Sequence, residues 1–259
     1  MWPDYQGGRY RGKACVWQGT WQSRRDLPVP ANVAGNAVTD GAGSQAVGYA
    51  DVWPGSRRHG LLWDLNGSGY VNMTPTGAES SDLAFTDGAR QSGYAAFPNA
   101  TAGFAVPHAL VWNGSPNNYT DFNPGPGYAS AITAIDGDRY FGGFTEDFGT
   151  GIAHAAIWIG GPETVIDLRP PGFVHSSIAD GTRNIQVGAA TGPGGGFLRA
   201  AAWFGSASTY VDLSQFLPPN CYNSLATGVW ESPEGIAYVS GYAICPSPLG
   251  GTTFQAFLW

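Results

Sequence analysis

A tryptophan-ended apolar segment returns six times in this chain, and its return limits what the chain can fold into. The segments read KACVW, HGLLW, HALVW, HAAIW, RAAAW and QAFLW, and end on Trp17, Trp63, Trp112, Trp158, Trp203 and Trp259. Successive tryptophans lie 46, 49, 46, 45 and 56 residues apart. A second landmark follows the first five in step: Asp26-Leu27, Asn72-Met73, Asp121-Phe122, Asp167-Leu168 and Asp212-Leu213. Two landmarks holding one phase mean a supersecondary unit copied along the chain, and a period of this length means a solenoid, a propeller or an array.

The unit reads as four short strands. After the Asp-Leu strand and a Pro/Gly turn comes a small-residue strand, starting near Asn36, Asp82, Ser130, Ser176 and Asn223. Asp40-Gly41, Asp87-Gly88, Asp136-Gly137 and Asp180-Gly181 are expected to turn it back, since Asp-Gly suits the positive φ angles of a tight hairpin. The next strand closes on a glycine, at Gly48, Gly93, Gly142-Gly143, Gly188 and Gly241. A variable connection then leads to the next tryptophan. Helical repeats would show 3.6-residue periodicity, and none is present. A strand apolar on both sides, such as Ala155-Ala156-Ile157-Trp158, fits a sheet sandwiched between two others.

The expectation is an all-β chain, one domain over 1–259: a β-propeller of four-stranded antiparallel blades, six in number, with five as the alternative. The chain starts inside one unit and stops inside another, so its terminal strands overlap. They can make two incomplete blades, leave spare strands, or pair with like subunits.

Composition agrees. Aromatics make up 14% of the chain and charged residues only 12%, with 39 glycines; disordered chains are poor in aromatics, whereas short strands and tight turns use both kinds of residue. A net charge of −7 argues against a nucleic-acid partner, and Arg24-Arg25 and Arg57-Arg58 read as isolated pairs. No apolar run reaches the roughly 20 residues of a membrane span, and Met1-Trp2-Pro3-Asp4 does not read as a signal peptide.

HALVW, HAAIW and especially QAFLW resemble the HAF-type extracellular repeat, whose hallmark is His-Ala-Phe-Leu-Trp between a glycine-ended strand and an Asp/Leu-Gly stretch. The resemblance covers nearly the whole chain. It departs at Lys13, Arg199 and Gln255, where the histidine is missing, and at most phenylalanine positions. It implies a secreted or cell-surface protein and says little about activity.

Cys221 and Cys245 flank the last hairpin, whose turn is 231–235, and Pro233 is their midpoint. In-register pairing sets them opposite each other, where a cross-strand disulfide forms; the alternative is two buried thiols. A bridge implies an oxidising compartment. Cys15 reads as a small buried side chain. Five Asn-X-Ser/Thr triplets start at Asn66, Asn72, Asn99, Asn113 and Asn118, and matter only in a glycosylating host.

Catalytic signatures are weak. His59, His108 and His154 share one repeat position and would lie on different blades, so each is expected to bond within its own blade, to backbone or to the landmark aspartate, instead of sharing a metal. His175 stands alone. The Asp-Gly aspartates are assigned to turn chemistry. Asp136-Gly137-Asp138 is too short for a calcium loop, and Gly192-Pro193-Gly194-Gly195-Gly196 lacks the lysine of a phosphate loop. Glu146 and Asp147 are adjacent, and adjacent carboxylates usually diverge. No cofactor is expected. The most variable segments are 50–58, 95–107, 145–153, 190–198 and 246–254, which carry Trp53, Arg57, Arg58, Phe97, Phe104, Phe148 and Phe197. Variable loops on a rigid scaffold carry function, so the expected role is non-catalytic binding of a glycan or protein through them, or structural assembly through the terminal strands.

Overall fold

A computed structural model describes residues 5–55, 57–67, 69–146, 151–248 and 250–259. Its strands run in chain order through six antiparallel sheets. The first is β1 (Gln6–Tyr10), β2 (Lys13–Gln18) and β3 (Thr20–Asp26). The second is β4 (Val33–Ala42), β5 (Gln45–Val52), β6 (Arg57–Asp64) and β7 (Tyr70–Asn72). The third is β8 (Ser80–Thr86), β9 (Gln91–Asn99), β10 (Phe104–Trp112) and β11 (Tyr119–Asp121). The fourth is β12 (Ala129–Asp136), β13 (Arg139–Glu146), β14 (Ile152–Ile159) and β15 (Val165–Asp167). The fifth is β16 (His175–Gly181), β17 (Gln186–Thr191), β18 (Arg199–Trp203) and β19 (Val211–Asp212). The sixth is β20 (Tyr222–Glu231), β21 (Ala237–Pro246) and β22 (Thr252–Leu258).

These sheets are the six blades of a β-propeller. The middle four hold all four strands; among the described residues the first has no small-residue strand and the last no Asp-Leu strand. The chain divides into two compact units, Met1–Ile132 and Thr133–Trp259. Besides strands, the described residues contain two short 3₁₀ segments, Ala207–Thr209 and Leu213–Phe216, and no helix long and apolar enough to cross a membrane.

Both landmarks are core residues. Trp63, Trp112, Trp158 and Trp203 are fully buried, Trp17 and Trp259 half-buried. Leu27, Met73, Phe122, Leu168 and Leu213 are buried too. Four of these five donate their N–H to one repeat position, the residue after the histidine: Leu27 to Ala14 O at 2.9 Å, and Met73, Phe122 and Leu168 to Gly60, Ala109 and Ala155 O at 2.8 Å. The N–H of that same residue crosses to a buried side chain at the start of the next blade. Ala14 donates to Asn36 Oδ1, Gly60 to Ser81 Oγ at 2.8 Å, Ala109 to Ser130 at 2.9 Å, Ala155 to Ser176 at 2.9 Å and Ala200 to Ser224 at 2.8 Å. A buried donor needs a partner, so one serine or asparagine per repeat latches blade to blade.

The closing glycines have a steric cause. The small-residue strand bulges at one repeat position, between Val38 and Asp40, Leu83 and Phe85, Ile178 and Asp180, and Ala226 and Gly228. Opposite each bulge sits a glycine: a Cβ on Gly48, Gly93, Gly188 or Gly241 would lie 2.0, 1.9, 2.0 or 2.1 Å from a carbonyl oxygen of the bulged strand. No side chain fits there.

Two sequence expectations need correction. Asp40 and Asp180 lie inside β4 and β16, not in turns; the chain reverses at Gly43-Ser44 and over 182–185. Their carboxylates accept from the next blade instead, Asp40 from Thr86 N and Asp180 from Val229 N, both at 2.9 Å. Asp136 does likewise, from Arg183 N at 2.6 Å. Asp87 does serve its own turn, accepting from Ala89 N at 2.9 Å and Arg90 N at 2.6 Å. The second correction is that strands run further than expected into the variable segments. β5 reaches Val52 and β6 begins at Arg57, while β9 reaches Asn99 and β10 begins at Phe104, so Arg57, Arg58, Phe97 and Phe104 are strand residues.

The expected disulfide joins Cys221 to Cys245, with Cα atoms 4.1 Å apart. The register that permits it is not a plain one. Next to the turn Glu231 faces Ala237, which puts the centre at Glu234 and would leave Cys221 opposite 247. Two bulges on β20 shift the pairing by one residue each, so that Tyr222 faces Ile244 and the cysteines meet.

Candidate functional site

The histidines are parts of the scaffold. His108 Nδ1 lies 2.9 Å from Asp121 Oδ2 and His154 Nδ1 2.7 Å from Asp167 Oδ2, the landmark aspartates of their own blades. Where the landmark is Asn72, His59 Nδ1 turns to Thr74 Oγ1 at 3.0 Å and Asn72 Nδ2 at 3.3 Å. The two cations that replace histidine keep the couple: Lys13 Nζ lies 3.8 Å from Asp26 and Arg199 Nη1 3.1 Å from Asp212. His154 is buried, with Glu146 Oε1 3.6 Å from its Nε2 and the Phe144 ring stacked on it at 4.9 Å. Among the described residues no group of His, Cys, Asp or Glu is arranged to hold a metal ion.

In the first unit the expected site residues fall into three settings. Trp53, 63% exposed, stands at the tip between β5 and β6, and Phe104, 54% exposed, opens β10 at the matching tip of the next blade. Arg57 is exposed and reaches Glu79 at 3.3 Å. Arg58 is fixed: its Nε donates to Asp51 at 3.0 Å, its Nη1 to Asp82 at 2.7 Å, and its guanidinium sits 3.7 Å from the Tyr49 ring centre. Burial works against that charge, and the bonds to Asp82 and Asp51 outweigh it, so Arg58 stays protonated. Burial also pushes the Asp82 carboxyl up despite Arg58, and pushes up the neighbouring Tyr94 hydroxyl. Arg58 thus joins two blades of this unit through its Nε and Nη1.

Phe97 forms one wall of a hollow of about 370 Å³ whose lining includes Asn99, His108, Asp121 and Asn123. Its ring lies 5.3 Å from His108 and 6.4 Å from Tyr119. Asn99 holds the hairpin tip, its Oδ1 accepting from Thr101 N and Ala102 N at 3.0 Å.

In the second unit Phe197 is 60% exposed and meets Tyr222 at 4.8 Å, a partner the sequence reading missed. Phe148 and Asp147 lie outside the described residues. Also missed were Tyr49, Asp51 and Asp82 around Arg58; an acidic residue opposite the arginine across a predicted hairpin was the available signal for Asp51, and Asp82, on the next sheet, had none.

No protein-family model matches the chain, and no curated protein does. Among solved structures, TolB from Acinetobacter baumannii is similar over 98% of this chain, with a TM-score of 0.52 and 14% identity. A puromycin hydrolase is similar over 95% of the chain at 12% identity, with a TM-score of 0.35, too low to build on. The chain spans 62% of the TolB chain and 50% of the hydrolase chain. At this identity the TolB likeness concerns the fold alone, and the fold it supports is the propeller.

Proposed function

We propose that the chain is a non-catalytic propeller, secreted or displayed at a cell surface, that binds a glycan or a protein partner through its hairpin tips. The observation that carries this is that Trp53 and Phe104 in the first unit and Phe197 in the second are each more than half exposed at equivalent hairpin tips of their own latched sheets. Exposed aromatics on rigid supports are typical contact residues. The hollow beside Phe97 adds an aromatic wall, the His108–Asp121 couple and Asn123 within a volume that suits a sugar residue. The Cys221–Cys245 bridge fits an oxidising compartment, as does the resemblance to HAF-type repeats. A glycan array probed with wild type, Trp53→Ala and Phe97→Ala tests the reading. Wild type is expected to bind a defined set, and at least one variant to lose about tenfold in affinity; an empty array, or unchanged binding by both variants, removes it.

A second reading, assembly with like subunits, rests on one comparison. Leu258, just before the last tryptophan, is 69% exposed, whereas its counterparts Val16, Leu62, Val111, Ile157 and Ala202 are 7% exposed or less. Light scattering over a concentration series distinguishes the two: a strict monomer eliminates assembly.

A further inference from the structure

We propose that the first sheet carries a binding site for an oxyanion-bearing polysaccharide, a carboxylated or sulfated glycan. Residues 9–25 hold five of the chain's 12 cationic side chains, although the net charge is −7. Arg25 is engaged elsewhere, its Nη2 donating to Leu65 O at 2.8 Å. Arg11, Lys13 and Arg24 group around two rings. Tyr10 and Trp21 meet edge to face with centroids 4.6 Å apart. The Arg24 guanidinium sits 4.6 Å from the Tyr10 centre and 5.0 Å from the Trp21 centre, and Arg11 sits 5.2 Å from Tyr10. Lys13 is the cross-strand partner of Tyr10, so both project from the same face. A shallow hollow of about 520 Å³ is lined by Tyr10, Arg11, Trp21, Gln22 and Arg24, and Trp21 is 51% exposed.

The chemistry follows from this packing. A guanidinium held against an aromatic face keeps its N–H edge available, and that edge takes a carboxylate or sulfate in paired bonds. Asp26 lies 3.2 Å from Arg24 and 3.8 Å from Lys13; one carboxylate shared by two cations, with Arg11 beside them, leaves the surface positive. Gln22 adds an amide suited to sugar hydroxyls. Nucleic acid fits less well. Proteins that bind single strands offer open rings on which bases stack, and here Tyr10 is flanked by Arg11 and Arg24, with Arg24 also against Trp21. The site sits at the β1–β2 hairpin of the first sheet and uses none of Trp53, Phe97, Phe104 or Phe197, so the variants at those residues and the variants here test the two proposals separately.

The test is calorimetric titration of the full chain with polygalacturonate, dextran sulfate, neutral dextran and a single-stranded oligonucleotide. At least one anionic glycan is expected to bind, weakening about tenfold or more as salt rises from about 50 to about 200 mM, in keeping with a contact dominated by charge. Which of the two binds decides between carboxylate and sulfate. Neutral dextran is expected not to bind. Arg11→Ala with Arg24→Ala should lower affinity about tenfold at an unchanged melting temperature, whereas Trp53→Ala should not. If the double variant fails to fold, the exposed Lys13→Glu is expected to show the same loss. Silence from both anionic glycans, equal binding of dextran, tighter binding of the oligonucleotide, or unaltered affinity in the variants overturns the site.

Discussion

At Gly188 a single methyl group is enough to break a blade. Its Cβ would sit 2.0 Å from Ser177 O, in backbone that cannot rotate away, so Gly188→Ala should cost about 2 kcal/mol or more. Gly161→Ala is the control, because a Cβ there meets nothing within 4 Å and the φ is ordinary; its unfolding free energy should stay within about 0.5 kcal/mol of wild type. Denaturant unfolding of the pair checks this, and equal stability would mean the bulged strand yields. The latch serines belong to the same scale. Ser176→Ala strips Ala155 N–H of its buried acceptor, a loss of about 1–3 kcal/mol. Hydrogen exchange at Ala155 should speed up in that variant more than exchange in the first sheet; uniform change would argue against a local latch.

At the scale of the element, the last sheet has three strands where the four middle sheets have four, and the disulfide across its hairpin closes a loop of 24 residues. Chain-entropy reasoning puts the bridge at about 3 kcal/mol, so Cys221→Ser with Cys245→Ser should lower the unfolding free energy by about that amount. Reduced wild type should melt with the double variant; no difference from oxidised wild type would show the sheet holds its register unaided. This element also marks how much was legible. The pairing of Cys221 with Cys245 was readable from their spacing, but the two bulges that produce it were not, because a bulge is a choice of backbone with no residue of its own. Asp40 and Asp180 were misassigned for a related reason: Asp-Gly signals a turn locally, whereas here tertiary contact supplies Thr86 and Val229 as donors and the strand runs on. The tryptophan and Asp-Leu landmarks were fully legible, since periodic apolar residues are what a stack of sheets must bury. The site residues were legible only as exposed aromatics. That Arg58 is bound between Asp51 and Asp82 depends on a contact between blades that no single repeat encodes.

The whole molecule carries few charges, and their placement sets its response to acid. Asp82 and Asp180 have carboxyls pushed up by burial, against the pull of Arg58 in one case and of the Val229 and Gly181 amides in the other. A carboxyl raised in the folded state binds its proton more readily there than in the unfolded chain, so the stability it adds is present at low pH and lost as pH rises through the folded value. Asp87 is the opposite case. Burial opposes its charge, but the Arg90 and Ala89 amides and the Arg90 side chain hold its carboxyl below the usual range; its contribution persists above about pH 4 and fades below it. Acidification from neutrality also reduces the mutual repulsion of a chain carrying −7. These effects all favour the fold, or leave it unchanged, down to the ordinary carboxylate range. Differential scanning calorimetry at low protein concentration should therefore show a melting temperature that holds or rises from pH 7 to about pH 4.5 and falls only below that. Asp87→Asn should lose less than wild type across that final drop, because it has no low-lying carboxylate to protonate. A steady decline beginning near neutrality would mean that ion pairs, and not buried strands and latches, hold the sheets together.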